Sequence, residues 1–204
     1  KEDISDIDTI DLNFMNESIK KHSKYIYICS NETINGLEFR EDGFKIPSKK
    51  DTNNKIMVVD MSSDILSKQI NWKNIDVAFA CAPKNFGFPG STITIINNRF
   101  LHEDYLQYHQ NIPSLLDWKL INNSDSFWNT LPVFNIYITE KILQYYKSIG
   151  GLIKIEEESK KKAKLIYSII DDETTIYQAV VSQDRPERSR MNIPFYIKDK
   201  KIME

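Results

Sequence analysis

Three short apolar runs in this 204-residue sequence each end in a different reactive group. A run that begins at Tyr25 leads into the polar turn 30–33, a second ends at Asp60, and a third, residues 75–82, leads to Lys84. Glycine and proline follow Lys84 at once, so the chain turns sharply there. We expect a lysine in this position to be desolvated, and a desolvated amine is a nucleophile that forms Schiff bases.

The elements that position these groups are predicted to be strands of one sheet. The three runs are almost unbroken apolar stretches, which is typical of strands covered on both faces, and a fourth strand is predicted over 92–96. In an open α/β sheet the ligand lies at the carboxyl ends of the strands. The pattern thus predicts a hydroxyl, a carboxylate and an amine around one crevice. The alternative is that polar residues simply cap these strands and that Lys84 is an ordinary surface lysine.

The rest of the chain is predicted to be mainly helical. A short helix is predicted over 14–21, a helical stretch over 101–118 broken at Pro113, and a helix from Pro132 to the glycine pair at 150–151. An amphipathic helix over 153–170 and strands near 176–181 and 191–197 follow, which suggests a small α+β unit. The predicted domains are therefore 1–149 and 150–204.

Composition and charge limit the classes of partner that the protein is expected to bind and the cell compartment in which it is expected to work. The net charge is −2, and the lysines at 160–162 follow glutamates one helical turn earlier, so we expect neither a nucleic-acid nor a membrane partner. No stretch is apolar enough to cross a bilayer and no signal peptide is recognised, which predicts a cytoplasmic protein. Cys29 and Cys81 are interpreted as small core residues in a reducing compartment. His22, His102 and His109 are scattered, so no metal site is predicted.

The aspartate and lysine at successive strand ends favour one cofactor. The sequence has no glycine-rich dinucleotide or P-loop motif and no serine-hydrolase elbow. A lysine for an imine and a carboxylate for a pyridinium nitrogen are what a pyridoxal phosphate enzyme needs. Asp60 and Lys84 are therefore predicted to bind pyridoxal 5'-phosphate.

Several blocks resemble the phosphoserine aminotransferase family. Ser-Asn-Glu-Thr at 30–33 is similar to the family's Asn-Glu-Thr signature, Asp-Met-Ser-Ser at 60–63 to its Asp-Met-Ser-Ser, and Ala-Pro-Lys-Asn-Phe-Gly at 82–87 to its cofactor-lysine segment. The resemblance continues through 127–132, the glycine pair and 188–195, in the family's order along nearly the whole chain.

The resemblance implies a three-layer α/β fold: the later half of a fold-type-I aminotransferase large domain, with part of a small α+β domain. It implies transfer of an amino group between glutamate and 3-phosphohydroxypyruvate, a phosphorylated 2-oxo acid, to give phosphoserine in serine biosynthesis. Lys84 would bind the cofactor covalently, Asp60 would keep its ring nitrogen protonated, and Thr33 would lie at its ring. Asn129 and Thr130 would reach the partner's cofactor phosphate in a homodimer.

Two departures from the family leave other functions open. Pro83 stands where the family usually has glutamine, and it has no backbone N–H to donate. The chain also lacks the family's leading and final portions, which suggests a fragment or truncated product. The alternatives are a non-catalytic or degenerate homologue that acts at most as a binding or dimerisation module, or another pyridoxal phosphate enzyme such as a lyase. Arg188 and Arg190 are candidate substitutes for the family's substrate arginine, although a structural role is favoured.

Overall fold

The computed structural model describes residues 24–102 and 112–198. The predicted helix over 14–21, His22 and His109 lie outside these ranges. The strands of the described part are β1 (Tyr25–Cys29), β2 (Asn31–Glu32), β3 (Leu37–Glu38), β4 (Ile56–Asp60), β5 (Val77–Cys81), β6 (Thr92–Ile96), β7 (Tyr177–Ala179) and β8 (Phe195–Ile197). The helices are α1 (Trp118–Asn123), α2 (Val133–Ser148) and α3 (Gly151–Ile170), with short 3-10 turns at Trp72–Asn74, Asn98–Leu101 and Ser114–Leu116.

The main sheet has the strand order β1-β4-β5-β6. β1, β4 and β5 are parallel, and β6 returns antiparallel to β5 after the turn that contains Lys84. The four strands predicted from apolar runs and the α/β class are confirmed. Because the three parallel strands end together, whatever follows them lies at one edge of the sheet.

The two faces of this sheet differ in burial. On one face Met57 and Val59 of β4 are 0% exposed, and Ala78 and Ala80 of β5 pack against them. On the other face Tyr27 of β1 is 51% exposed. The expectation of strands covered on both faces is therefore wrong for β1, because no element among the described residues packs over its tyrosine side.

The buried face is covered by the segments that follow β4 and β5. Met61 and Ile65 turn back under the sheet after β4, and Phe86 does the same after β5. Phe86 and Met61 are each 1% exposed, and they rank among the largest fully buried side chains of the described part. The loops that carry the candidate residues are thus anchored in the core by an apolar neighbour in the chain.

The glycine pair ends α2 and begins α3, as predicted. Gly150 has φ of 111° and Gly151 φ of 68°, in the left-handed region that favours glycine. The charged face of α3 is confirmed as well, since Lys160 pairs with Glu156 at 2.8 Å one turn earlier. The domain boundary placed at 150 stays a prediction.

The region before α2 is organised differently from the predicted helical stretch. Ile112 and Pro113 are not helical. α1 begins only at Trp118, the residue at which the predicted helical stretch ends. The Asp117 carboxylate accepts hydrogen bonds from the N–H groups of Lys119 and Leu120, at 3.0 and 3.1 Å. This N-cap starts a new helix after the proline, which explains the shift.

Two small hairpins complete the fold. The predicted strands near 176–181 and 191–197 are confirmed as β7 and β8, which pair antiparallel. The segment expected to be a polar turn after β1 forms part of a second hairpin, in which β2 pairs antiparallel with β3. Across residues 24–102 and 112–198, no helix combines the length and apolar character needed to cross a membrane.

Candidate active site

The carboxyl ends of β1, β4 and β5 meet around Asp60. Cys29 of β1 and Phe79 of β5 are its partners on the neighbouring strands. The Ser30 N–H donates to the Asp60 carbonyl at 2.9 Å, and the Met61 N–H donates to the Phe79 carbonyl at 2.8 Å. The predicted convergence of strand ends is therefore present, with a hydroxyl residue and a carboxylate in adjacent positions.

The Asp60 carboxylate is oriented by donors on both oxygens. Oδ1 accepts the Ser62 N–H at 2.8 Å, and Oδ2 accepts the Tyr27 hydroxyl at 3.3 Å. The residue is half-buried, on the open face of the sheet. A carboxylate has about four lone-pair sites, so two of them remain available to a ligand. Tyr27 was not singled out in the sequence, where only its membership of an apolar strand was evident.

Lys84 follows β5 in a tight turn over residues 82–87. The N–H groups of Phe86 and Gly87 both donate to the Ala82 carbonyl, at 3.1 and 2.9 Å. The Asn85 side chain donates to the Ile65 carbonyl at 2.7 Å, and the Tyr146 hydroxyl donates to the Asn85 carbonyl at 2.8 Å. The backbone beside Lys84 is therefore held from both sides, by the segment after β4 and by α2.

Lys84 itself is exposed, as is Pro83. The expectation of a desolvated lysine is wrong for the described part of the chain, because the chain leaves the sheet at Cys81 and places Lys84 at the outside of the turn. Its ammonium makes no hydrogen bond or ion pair with the residues that the structure describes. Lys84 and Asp60 nevertheless follow neighbouring parallel strands at the same edge, as the sequence predicted.

Thr33 lies in the exposed turn between β2 and β3. The turn is closed by the Gly36 N–H, which donates to the Glu32 carbonyl at 3.0 Å, and Gly36 has φ of 68°. A Cβ at Gly36 would come within 2.5 Å of the Pro194 ring, so only glycine fits this close approach. The position of Thr33 is thus set by a segment more than 150 residues later in the chain.

A layer of buried polar groups lies behind this edge. Lys68 is 6% exposed and contacts Glu38 at 2.8 Å and Asp64 at 2.5 Å, and the Ser30 hydroxyl donates to Asp64 at 2.5 Å. Burial raises the pKa of Asp64, against the opposing effect of Lys68 and Ser30. We call the following set the buried polar layer: Ser30, Asn31, Glu38, Asp64, Lys68 and Ser189.

Asn31 and Ser189 join this layer to the C-terminal segment. The Ser189 hydroxyl donates to Asn31 Oδ1 at 2.5 Å and accepts the N–H groups of Met191 and Asn192, each at 3.0 Å. The Asn31 amide donates to Ser63 at 2.8 Å and to Asn192 at 2.6 Å. Asn31 and Ser189 fall within two of the family-like blocks, which was the available signal, but their pairing was not predicted.

Arg188 and Arg190 have carboxylate partners of their own. Arg188 binds Asp171 through both terminal nitrogens, at 2.7 and 2.6 Å, and its guanidinium lies 3.5 Å from the centroid of the Tyr167 ring. Arg190 binds Asp42. These contacts support the structural role that the sequence favoured over substrate binding.

Asn129 and Thr130 belong to a different segment of the chain from Asp60 and Lys84. Both are exposed, in the connection between α1 and α2. Asn129 lines a cleft of about 840 Å³ between β6 and α2, and neither Asp60 nor Lys84 lines this cleft.

Neither cysteine is fully buried, so the interpretation of Cys29 and Cys81 as core residues is only partly correct. His102 is exposed. Within residues 24–102 and 112–198, no three histidine, cysteine or acidic side chains are grouped so that they could hold a metal ion.

The chain is similar to known aminotransferases in sequence. The family model described as Aminotransferase class-V matches residues 3–203. A phosphoserine aminotransferase from Buchnera aphidicola subsp. Baizongia pistaciae is 37% identical over 187 residues, which cover 91% of this chain and 46% of that protein. A probable phosphoserine aminotransferase from Dictyostelium discoideum is 40% identical over 178 residues, covering 87% of this chain and 45% of that one. The chain thus spans about half the length of these relatives.

The chain is also similar to solved aminotransferase structures in its fold. Phosphoserine aminotransferase from Bacillus circulans subsp. alkalophilus matches with a TM-score of 0.74 and 31% identity, over 87% of this chain and 46% of that one. A pyridoxal phosphate-bound phosphoserine aminotransferase from Trichomonas vaginalis matches with a TM-score of 0.70 and 33% identity, over 89% and 50%. The predicted fold-type-I aminotransferase architecture is confirmed, and the chain belongs to the class-V aminotransferase family.

Proposed function

We propose that the protein is a phosphoserine aminotransferase, which transfers an amino group between glutamate and 3-phosphohydroxypyruvate in serine biosynthesis. The observation that carries the proposal is the placement of Asp60 and Lys84 after neighbouring parallel strands, at one edge of the sheet. The sequence similarity supports the same proposal, because this chain is 37% identical over 187 residues to a protein named phosphoserine aminotransferase.

The residues present fit pyridoxal phosphate. Asp60 is half-buried, is held by two donors and retains lone pairs for a ring N–H. Lys84 is exposed and has no carboxylate partner among the described residues, so its amine is accessible. Thr33, also exposed, belongs to a turn whose backbone is fixed by Gly36. Asp60, Lys84 and Thr33 would therefore hold the cofactor.

Each residue has a separate task in transamination. The bound cofactor supplies an electron-withdrawing ring that stabilises negative charge at the substrate α-carbon. Lys84 would hold the cofactor and would move the proton at the substrate α-carbon. Asp60 would keep the ring nitrogen of the cofactor protonated, and the ring would then stay electron-poor.

The active unit is a homodimer in the cytoplasm. Asn129 and Thr130 are exposed, and the cleft that Asn129 lines does not include Asp60. In this proposal the two residues therefore serve the cofactor phosphate of a second copy. Large apolar side chains beside them are also exposed: Phe127 by 71%, Val133 by 73% and Phe134 by 63%. Exposed apolar groups of this size favour burial against another chain.

The experiment uses the protein made from its complete gene, incubated with pyridoxal phosphate. We expect a visible to near-ultraviolet absorption band that disappears when glutamate is added, together with glutamate-dependent formation of phosphoserine. A protein that shows no such band at saturating cofactor would overturn the proposal. A band without turnover would favour the non-catalytic homologue, for which the exposed Pro83 next to Lys84 is the supporting observation. Sedimentation of wild type and of a Phe134→Asp variant tests the dimer, since a charge in that interface should release monomers.

A further inference from the structure

Among the described residues, Tyr27 is the side chain that donates to the Asp60 carboxylate. Its hydroxyl donates to Asp60 Oδ2 at 3.3 Å. Its ring lies nearly parallel to that of Phe79, with centroids 6.4 Å apart and an interplanar angle of 24°. Phe79 pairs with Asp60, and Tyr27 pairs with Val58, two residues before Asp60 on the same strand. All three side chains therefore lie on the open face of the sheet.

The phenol stays a donor over the physiological range of pH. Burial, then the neighbouring Cys29 and Asp60, raise the pKa of Tyr27 to about 12. The groups that face it are the Cys29 sulfur, 4.0 Å away, and the Asp60 carboxylate itself. A protonated phenol beside a carboxylate donates its hydrogen to the anion, here across 3.3 Å.

We propose that Tyr27 is a positioning residue for Asp60 in the transamination reaction. The Ser62 N–H binds Oδ1 and the Tyr27 hydroxyl binds Oδ2, so the two donors together fix the plane of the carboxylate. The backbone donor alone would leave the carboxylate free to rotate about its last bond. The lone pairs of Asp60 that accept neither bond then point in a fixed direction, so they can accept a hydrogen bond from a ring N–H. This inference rests on the proposed function, because it assigns Tyr27 a role toward the same ring nitrogen.

Tyr25 provides a matched control. It lies on the same strand and, two residues earlier, on the same face as Tyr27. It is 60% exposed, against 51% for Tyr27, and its hydroxyl has no hydrogen-bond partner among the described residues. Tyr25→Phe therefore removes the same group from the same surface without touching Asp60.

The contact itself is tested without cofactor. The apo form of the complete protein is labelled at the tyrosine Cζ carbons, and the Tyr27 signal is assigned by its loss in Tyr27→Phe. We expect Asp60→Asn to lower the pKa of Tyr27, because one of the negative charges that raise it is gone. The Tyr25 signal should titrate alike in both proteins. An unchanged Tyr27 titration would show that the contact is absent in solution and would overturn the proposal.

The consequence is tested with the cofactor labelled with ¹⁵N at the ring nitrogen. In Tyr27→Phe we expect the ring resonance to move toward the unprotonated position. The kcat should fall by about two- to tenfold, the loss of one hydrogen bond, with KM for glutamate unchanged. Tyr25→Phe should match wild type in both measurements.

The outcomes separate the two proposals. If the apo contact is present but Tyr27→Phe leaves the ¹⁵N resonance and kcat unchanged, the positioning role is wrong while the proposed function stands. If wild type binds no cofactor, the proposed function is wrong and the positioning role falls with it. The apo titration then still decides whether Tyr27 and Asp60 are in contact.

Discussion

The buried polar layer and the candidate active-site residues differ sharply in how their side chains are held. Ser30, Glu38, Asp64 and Lys68 are each no more than 6% exposed, and their charged and hydroxyl groups contact one another. Lys84, Thr33, Asn129 and Thr130 are all exposed, and their side chains have no hydrogen-bond partners among the described residues. Asp60 is intermediate, because it is half-buried and its carboxylate accepts hydrogen bonds from two donors.

The difference shows which part of the site this chain completes by itself. Buried polar groups must be paired within the fold, since an unpaired one costs about 1–3 kcal/mol or more. The layer that fixes the loops is therefore complete in the described residues. Exposed groups need not be paired in this way, because water solvates them. We accordingly expect substitutions in the layer to change stability and substitutions among the exposed residues to change chemistry.

Lys84→Ala should give the largest effect on function. The amine that carries out proton transfer is removed, so turnover with glutamate should fall by at least about a thousandfold. The free energy of unfolding of the apo protein should stay within about 0.5 kcal/mol of wild type, because Lys84 is exposed. Steady-state kinetics and urea unfolding measure the two quantities. A Lys84→Ala variant that unfolds more readily would show that Lys84 contributes to stability as the buried polar layer does.

Lys68→Met should give the largest loss of stability. It removes the cation between Glu38 and Asp64 while keeping an apolar stem, and breaking such a buried pair costs about 3–5 kcal/mol. Lys161→Met is the control: Lys161 contacts Glu158 on the exposed face of α3, so it should change stability by less than about 1 kcal/mol. Urea unfolding at neutral pH compares the two variants.

The pH dependence of Lys68→Met sharpens this test. Burial already raises the pKa of Asp64, and without Lys68 the main opposing group is gone. The folded state then takes up a proton at a higher pH than the unfolded state does. Part of the lost stability should therefore return as the pH falls from neutral toward the unfolded pKa of about 3.9. A loss that is the same throughout this range would show that packing, not the unpaired carboxylates, is responsible.

Ser189→Ala should destabilise the protein by about 1–3 kcal/mol. Ser189 is fully buried, and its hydroxyl contacts Asn31 Oδ1 and the N–H groups of Met191 and Asn192. The substitution leaves these three groups without that partner. Ser182→Ala is the matched control, because Ser182 is exposed and its hydroxyl, the group that the substitution removes, donates to Asp184 on the surface. Equal thermal unfolding of the two variants would mean that the junction between the Asn31 turn and the C-terminal segment contributes little.

The smallest effect is expected at Asp42, on the surface. Burial opposes the shift, but Arg190, Lys160 and Arg40 outweigh it and lower the pKa of Asp42 to about 2. A lowered carboxyl pKa stabilises the fold above the unfolded value near 3.9, and this stability is lost as the pH falls from about 4 to 2. Since the side chain is 45% exposed, solvent screening limits the contribution to about 1 kcal/mol or less. Unfolding of Asp42→Asn and wild type should therefore converge toward pH 2, and a constant difference would contradict this assignment.

Local pattern in the sequence determined much of the fold. Apolar runs marked β1, β4, β5 and β6, and the glycine pair marked the junction of α2 and α3. These features depend on neighbouring residues, through periodicity and through the backbone freedom of glycine, so they are visible without a structure. The ends of the apolar runs singled out Asp60 and Lys84 by residue type and position, and the family-like blocks then included both residues.

Only the tertiary structure decided how those residues are surrounded. The exposure of Lys84 depends on the path of the chain after Cys81, and the Tyr27 contact depends on the register of β1 with β4. The Asn31 to Ser189 hydrogen bond joins residues 158 positions apart, and the Lys68 to Glu38 ion pair joins residues 30 apart. A local pattern reports whether a residue is apolar, charged or flexible. Which distant residue satisfies a buried polar group is settled only when the whole chain packs, because each partner is chosen by geometry and by the cost of leaving the group unpaired.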